Sequence, residues 1–304
     1  MKFSIVIPTM NRLAVLRSTI GALAKQELDE HEAEVVVVDN GSTDGTVEWL
    51  EQRRGGFPVP LQVLSESTPG VSAARNAGVR HARYDHILFL NDDTAPTNER
   101  LVAGHAKAHQ MANGDDIAVL GRITYPPDQL VDPFMRWIND GAQFDYGRLD
   151  GGYPPRATHF YTAHISFPRG PFERASGMDE RIRFGFEDAV LGYRMEQQGV
   201  LIQYHPELVA HHDHPIDVSA WCRRATSMGG AGWQVNSLYP AEPPLAQPAT
   251  TLYWRALEAA ARALTFIPTD WSMLPSRLRN PAYLIINQGY YARGYRQATK
   301  INQP

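Results

Sequence analysis

Four short apolar runs, each followed by a stretch with helical spacing or turn residues, fill the first ninety residues, and this alternation restricts the chain to a narrow set of folds. Residues 3–7 are rich in Ile and Val and are stopped by Pro8, after which Leu13, Leu16, Ile20 and Leu23 recur at the period of one helix face. Residues 35–38 are four consecutive valines, apolar without alternation, as a strand covered on both faces must be. Residues 42–46 are dense in helix-capping types and lead into Val47, Trp49 and Leu50. Residues 61–64 read as a third strand, 71–83 as an alanine-rich helix and 87–90 as a fourth strand. Such repeats predict right-handed crossovers and an α/β fold, a mostly parallel sheet with helices on both faces.

Beyond residue 112 the pattern loosens. Residues 117–120 predict a further strand, and 125–155, punctuated by Tyr-Pro-Pro, Asp-Pro and Gly-Gly, a loop-rich stretch with at most short helices. A strand is expected at 160–167, a helix at 188–198 ended by Gly199, and two short strands at 201–204 and 208–212. The proline-rich stretch 239–248 separates this core from an apolar helix at about 250–266. The expected division is therefore a domain at 1–238 and a Pro-rich linker with a helical C-terminal extension at 239–304. Leu252, Trp254, Leu257, Ala260 and Leu264 fit one face of that helix; burial against the core is the plainer expectation, and homodimer formation or membrane docking the alternative.

Composition excludes several classes. With 304 residues the chain can bury an ample core, and Lys+Arg 29 against Asp+Glu 33 argues against nucleic acid as the main partner. Cys222 is the single cysteine, so an intrachain disulfide or a thiolate metal cluster is ruled out, and any metal must take oxygen and imidazole ligands. The N-terminal apolar run is too short for a signal peptide, and no stretch has the length of a membrane span. The expected location is cytoplasmic, with peripheral contact at the inner face of the membrane left open.

In open parallel sheets ligands collect beyond the carboxyl ends of the strands. There this chain places Pro8-Thr9-Met10-Asn11-Arg12, then Asp39 to Gly45, then Asn91-Asp92-Asp93-Thr94. No G-x-G-x-x-G or G-x-x-x-x-G-K-[ST] loop follows the first strand, which argues against a dinucleotide or P-loop site. Asp92 and Asp93 could hold a hard divalent cation bridging to phosphates; the alternative for Asp93 is a turn or helix cap. Asp39 is either an Asx-turn residue or a carboxylate for a base or ribose. Arg75, among small helical neighbours, could reach a diphosphate or form a structural ion pair. Glu187-Asp188 opens a helix, where the dipole favours ionised carboxylates; capping is one use and deprotonation of a hydroxyl another. His211, His212 and His214 follow a strand, whose alternation puts His212 and His214 on one side.

Taken in order, Ile5 to Arg12, Val36 to Thr46, Gly70 to Gly78, Phe89 to Thr94, Gly177-Met178-Asp179-Glu180 and Gly185 to Arg194 resemble the motifs of family 2 glycosyltransferases over about residues 3–214. The resemblance implies a GT-A fold with a Rossmann-like sheet, and a nucleotide-diphosphate sugar as donor. It implies contacts to that donor from Pro8, Thr9, Asn11, Arg12, Asp39, Arg75, Asp92 and Glu187, with Asp39 at the base. It further implies Mn²⁺ or Mg²⁺ on Asp93 and His212, and Asp188 as general base of an inverting transfer. Asn91 stands where many relatives carry aspartate. The implied acceptor is a carbohydrate, a lipid-linked molecule or a small molecule, and Trp137, Tyr146 and Tyr153 are candidates to stack on sugar rings, with a place in the core as the alternative for each. The alternatives are a sugar-phosphate nucleotidyltransferase, which would carry a basic glycine-rich loop after the first strand, and an inactive carbohydrate-binding protein of the same fold.

Overall fold

The computed structural model describes residues 1–112, 114, 116–212, 216–240, 252–266 and 271–301. In chain order the elements are β1 (Lys2–Thr9), α1 (Leu13–Leu23), β2 (Glu32–Asp39), α2 (Thr46–Arg54), β3 (Leu61–Ser65), α3 (Val71–His81), β4 (His86–Leu90), β5 (Thr94–Pro96), α4 (Leu101–Met111), β6 (Ile117–Thr124) and α5 (Pro133–Trp137). There follow α6 (Tyr146–Asp150), β7 (His164–Pro168), α7 (Arg169–Arg174), α8 (Glu187–Gln197), β8 (Leu201–His212), α9 (Val218–Leu238), α10 (Leu252–Phe266) and α11 (Ser276–Ile301). The eight strands form one sheet in the order β3-β2-β1-β4-β7-β6-β8-β5. β3, β2, β1 and β4 are parallel neighbours, β7 runs antiparallel between β4 and β6, and β5 pairs antiparallel with β8.

The uninterrupted valines of β2 are explained by cover on both faces. Val36 and Val38 join Val6 and Phe89 beneath α3, while Val35 and Val37 join Ile5, Ile7 and Leu88 beneath α1. α3 lies almost on the strands: a Cβ on Gly78 would sit 2.3 Å from Val6 Cγ1. A larger residue there would lift α3, and Arg75 with it.

The chain packs as two compact units, one of residues 1–129, 144–183 and 187–214, the other of 130–143, 184–186 and 215–304. The division expected at 238/239 falls inside the second unit, in which α9 packs on α11. α11 falls within the helical extension expected at 239–304, whereas α9 was not expected; Gly229, Gly230 and Gly232 in α9 and Pro281 in α11 are residue types that usually interrupt helices. The glycines instead permit contact between backbones. A Cβ on Gly229 would lie 1.9 Å from Tyr291 O, and one on Gly294 1.8 Å from Thr226 O. Among the described residues no helix is long and apolar enough to cross a membrane.

Other departures are local. α4 was not expected; it buries Leu101 and Val102 in its first turn and then only Ala103, Ala106, Ala108 and His105, a short apolar face broken by a histidine. The two strands expected at 201–204 and 208–212 are one, β8, whose register against β6 slips between Gly121 and Arg122. The strand expected at 160–167 begins only at His164.

In the first unit, α4 and β7 share a buried polar chain. His109 Nε2 lies 2.8 Å from Ser166 Oγ, Ser166 Oγ 2.8 Å from His105 Nδ1, His105 Nε2 3.0 Å from His164 Nε2, and His164 Nδ1 3.4 Å from the Arg122 carbonyl. The carbonyl accepts only, so His164 Nδ1 carries the hydrogen and His164 Nε2 accepts from His105; Ser166 donates to His105 and accepts from His109. Each imidazole is neutral in this one-way chain, and a further proton would set two donors against each other. Burial holds all three below the usual imidazole range, His109 at about 3 and His164 at about 4. Neighbouring histidines add to this at His105 and His109.

Unfolded imidazoles take up protons below about pH 6.5 while the folded ones do not, so their contribution to stability is complete above that pH and is lost as pH falls. The thermal midpoint is expected to be level from about pH 8 to 7 and to drop between roughly pH 6.5 and 5, before ordinary carboxylates protonate. His109→Gln, which keeps a donor toward Ser166 and does not titrate, should make that drop shallower. An unchanged drop would assign the acid sensitivity elsewhere.

Candidate active site

β1 and β2 end in phase, with Thr9 opposite Asp39, so their loops leave the sheet side by side. The loops are then stitched together. Asn11 N donates to Ser42 Oγ at 2.8 Å, Thr43 N to Asn11 Oδ1 at 2.8 Å, and Leu13 N to Asp44 Oδ2 at 3.0 Å. Asn11 adopts φ 54°, a left-handed conformation that asparagine tolerates better than most residues. Pro8 lies within β1 opposite Val38. Asp39 forms the Asx turn that was one of its two expected uses. Its Oδ2 accepts from Gly41 N at 3.1 Å and Ser42 N at 3.0 Å, an Asx turn, whereas the buried Oδ1 has no hydrogen-bond partner.

Asp92 and Asp93 follow β4 and are 6% and 5% exposed. Thr9 Oγ1 donates to Asp92 Oδ2 at 2.9 Å, and Thr19, from α1, donates to the Asp92 carbonyl at 2.8 Å. The Arg12 guanidinium bridges the pair, with Nε 3.3 Å from Asp92 Oδ1 and Nη2 bonded to Asp93 Oδ2. Burial pushes the Asp92 carboxyl up to about 6, with Arg12 pulling it down and Asp93 pushing it further up. Thr19 had no signal in the sequence, since it sits inside the apolar stripe of α1.

The three residues of β5 bring His212 to this pair. β5 pairs antiparallel with β8, with Thr94 opposite His212, and His212 Nε2 lies 3.1 Å from Asp93 Oδ2. His211 turns the other way and lines a separate cavity with Arg17 and Lys25. His214 lies outside the described residues. Ligands at about 2.1 Å around an octahedral cation stand roughly 3 Å from their neighbours, so Asp93 and His212 have the separation of adjacent ligands. The carboxylate oxygen suits Mn²⁺ or Mg²⁺, and the borderline imidazole nitrogen beside it favours Mn²⁺ of the two. Among the described residues no group of three or more such side chains could hold a metal ion.

Arg75, buried on α3, donates from Nη2 to Asn91 Oδ1 at 2.8 Å, and its Nη1 lies 3.8 Å from Glu187 Oε1. Arg75 Nε and Nη1 and Glu187 Oε2 are buried without hydrogen-bond partners. Asp188, in the first turn of α8, accepts from Ala189 N at 2.8 Å. Burial and then the adjacent Glu187 carboxylate push Asp188 up to about 7, against the pull of backbone amides and Arg75.

The three aromatic candidates divide between the core and the surface. Tyr146 is fully buried among Phe144, Tyr161 and Tyr204, with its hydroxyl accepting from Ile123 N, so it has no face for a sugar. Trp137 packs on Phe134 and Tyr283 in the second unit. Tyr153 keeps an exposed ring, 4.7 Å from the Arg148 guanidinium.

This sheet, with polar loops gathered at the ends of β1, β2 and β4, is GT-A-like, and the sequence agrees. The glycosyl transferase family 2 profile matches residues 4–174, more than half of the chain, and the chain belongs to that family of transferases. It is 29% identical to the uncharacterized glycosyltransferase YfnE of Bacillus subtilis over 71% of this chain and 66% of that one. It is 28% identical to a validoxylamine A glucosyltransferase of Streptomyces hygroscopicus over 65% of this chain and 52% of the relative. The chain thus spans about half to two thirds of the length of these curated relatives. Among solved structures, the Pyrobaculum calidifontis mannosyltransferase PcManGT, in complex with GDP-Man and Mn²⁺, superimposes with a TM-score of 0.67 at 18% identity, covering 99% of this chain and 88% of that one. The S. aureus TarS 1–349 structure gives 0.55 at 18% identity, covering 98% and 92%.

Proposed function

We propose that this chain transfers a sugar, with inversion, from a nucleotide-diphosphate sugar to an acceptor hydroxyl. The observation that carries this reading is a set of buried, unsatisfied groups of opposite kinds at one sheet edge. Asp39 Oδ1 is an acceptor without a donor, and Arg75 Nε and Nη1 are donors without acceptors. Buried polar groups are rarely left unpaired, and a nucleoside diphosphate offers both complements, N–H groups on its base and anionic oxygens on its phosphates. Pro8, Thr9, Asn11, Arg12, Asp92 and Glu187 complete the donor-binding edge in this proposal. Mn²⁺ or Mg²⁺, held by Asp93 and His212, would supply positive charge to the diphosphate leaving group.

Asp188 is the general base. Its carboxylate takes the acceptor hydroxyl proton as that oxygen bonds to the anomeric carbon, and the bond from that carbon to the diphosphate oxygen breaks on the opposite face. A carboxyl pushed up to about 7 is ionised in a large fraction at neutral pH and still basic enough to accept the proton. The proposed acceptor is a carbohydrate, a lipid-linked molecule or a small molecule. A nucleotidyltransferase is disfavoured by the loop after β1, which is neither glycine-rich nor strongly basic.

Asp188→Asn is expected to lower kcat by about 10²–10⁴-fold while nucleotide affinity stays within about twofold. In the parent, kcat/KM should climb with pH to a plateau above about 7. Near-normal turnover by the variant would remove Asp188 from the chemistry. Arg12 occupies the carboxylates that the cation needs, so Arg12→Ala should tighten Mn²⁺ binding in the absence of nucleotide, read by calorimetry and as a larger thermal shift with Mn²⁺ than in the parent. Weaker Mn²⁺ binding by this variant would mean that Arg12 assembles the cation site.

A further inference from the structure

The second unit presents a surface that glycosyl transfer does not explain. α10 is apolar on two sides. Trp254, Leu257, Ala261 and Leu264 face inward, and α10 sits so close to α11 that a Cβ on Gly289 would lie 2.4 Å from Ala261 Cβ. At 100° per residue the opposite side carries Leu252, Ala256, Ala259, Ala260, Ala263 and Phe266, all exposed, with Tyr253 at its margin. Leu252 is 80% and Phe266 83% exposed. A helix on the surface of a water-soluble unit places polar residues there.

Two of the polar residues of α10, both arginines, sit at one edge of this stripe. Arg255 and Arg262 border a groove of about 400 Å³ that Glu258, Ala259, Arg296 and Lys300 also line. Glu258 is paired with Arg296, so the groove carries four cations against one carboxylate. Among the described residues no carboxylate lies within ion-pair distance of Arg255, Arg262 or Lys300. The whole chain has a net charge of -4, so the cationic groove is a local feature.

We propose that α10 docks on an anionic bilayer surface, lying in its plane, with Leu252, Ala256, Ala263 and Phe266 entering the headgroup boundary and Arg255, Arg262 and Lys300 meeting lipid phosphates. An apolar stripe edged by arginines, whose stems reach outward along it, is the chemistry of an interfacial helix. A second copy of this chain fits less well, because pairing the stripe with itself brings two cationic grooves together. The surface is independent of the carboxylate site, and its test does not depend on catalysis.

The full chain is sedimented with vesicles of phosphatidylcholine alone and of phosphatidylcholine mixed with phosphatidylglycerol. It should bind the mixed vesicles and not the neutral ones, with binding lost at high salt. At about 1 kcal/mol per cation, Arg255→Gln with Arg262→Gln should weaken partitioning roughly thirtyfold. Leu252→Ser with Phe266→Ser should weaken it as well. All four side chains are exposed, so each variant should keep the parent thermal midpoint. Equal binding to both vesicle types, or binding to neither, overturns the proposal. So does a dimer in sedimentation velocity that Leu252→Ser with Phe266→Ser dissociates, since a second copy would then cover the stripe.

Discussion

Two carboxylates buried side by side at the end of β4 set the problem that the rest of the sheet edge answers. Asp92 and Asp93 repel each other and are almost out of water, so each needs a donor or a cation. Thr9 from β1 supplies one hydrogen bond, Arg12 bridges both side chains, and His212 arrives from β8 at 3.1 Å. Three elements distant in sequence are thereby tied to one point. In the proposed function a metal would neutralise the same charge that this arginine now neutralises.

The second constraint is how closely α3 approaches the sheet. Gly78 lets the helix rest on Val6, and the alanines around it let Arg75 be buried beside Asn91 and Glu187. An arginine so placed has lost its hydration and keeps unpaired donors, a costly state unless a ligand completes it. The same burial that burdens Arg75 raises Asp188. Packing and chemistry are here the same arrangement seen at two residues.

Much of this was legible in the sequence where burial leaves a pattern. The valines of β2 are apolar on both faces because both faces are covered, and the polar runs after β1, β2 and β4 meet because parallel strands end on the same edge. Elements that use little apolar surface left no pattern. β5 has three residues, α4 beyond its first turn buries only alanine and histidine, and α9 and α11 use glycine for backbone contact. Site details that depend on those elements were hidden with them. Strand alternation set His212 apart from His211 but not the side facing Asp93, which the β5–β8 pairing decides. Tyr146 looked available because a tyrosine in a loop-rich stretch gives no sign that it closes a core.

In the proposed function this edge binds a nucleoside diphosphate together with a divalent cation. Calorimetry with UDP, GDP, dTDP and CDP, each with and without Mn²⁺, measures it directly. One of these nucleotides is expected to bind with Mn²⁺ and far more weakly without it, and Asp93→Ala to remove the metal-dependent part. Binding of none of them under either condition would contradict it.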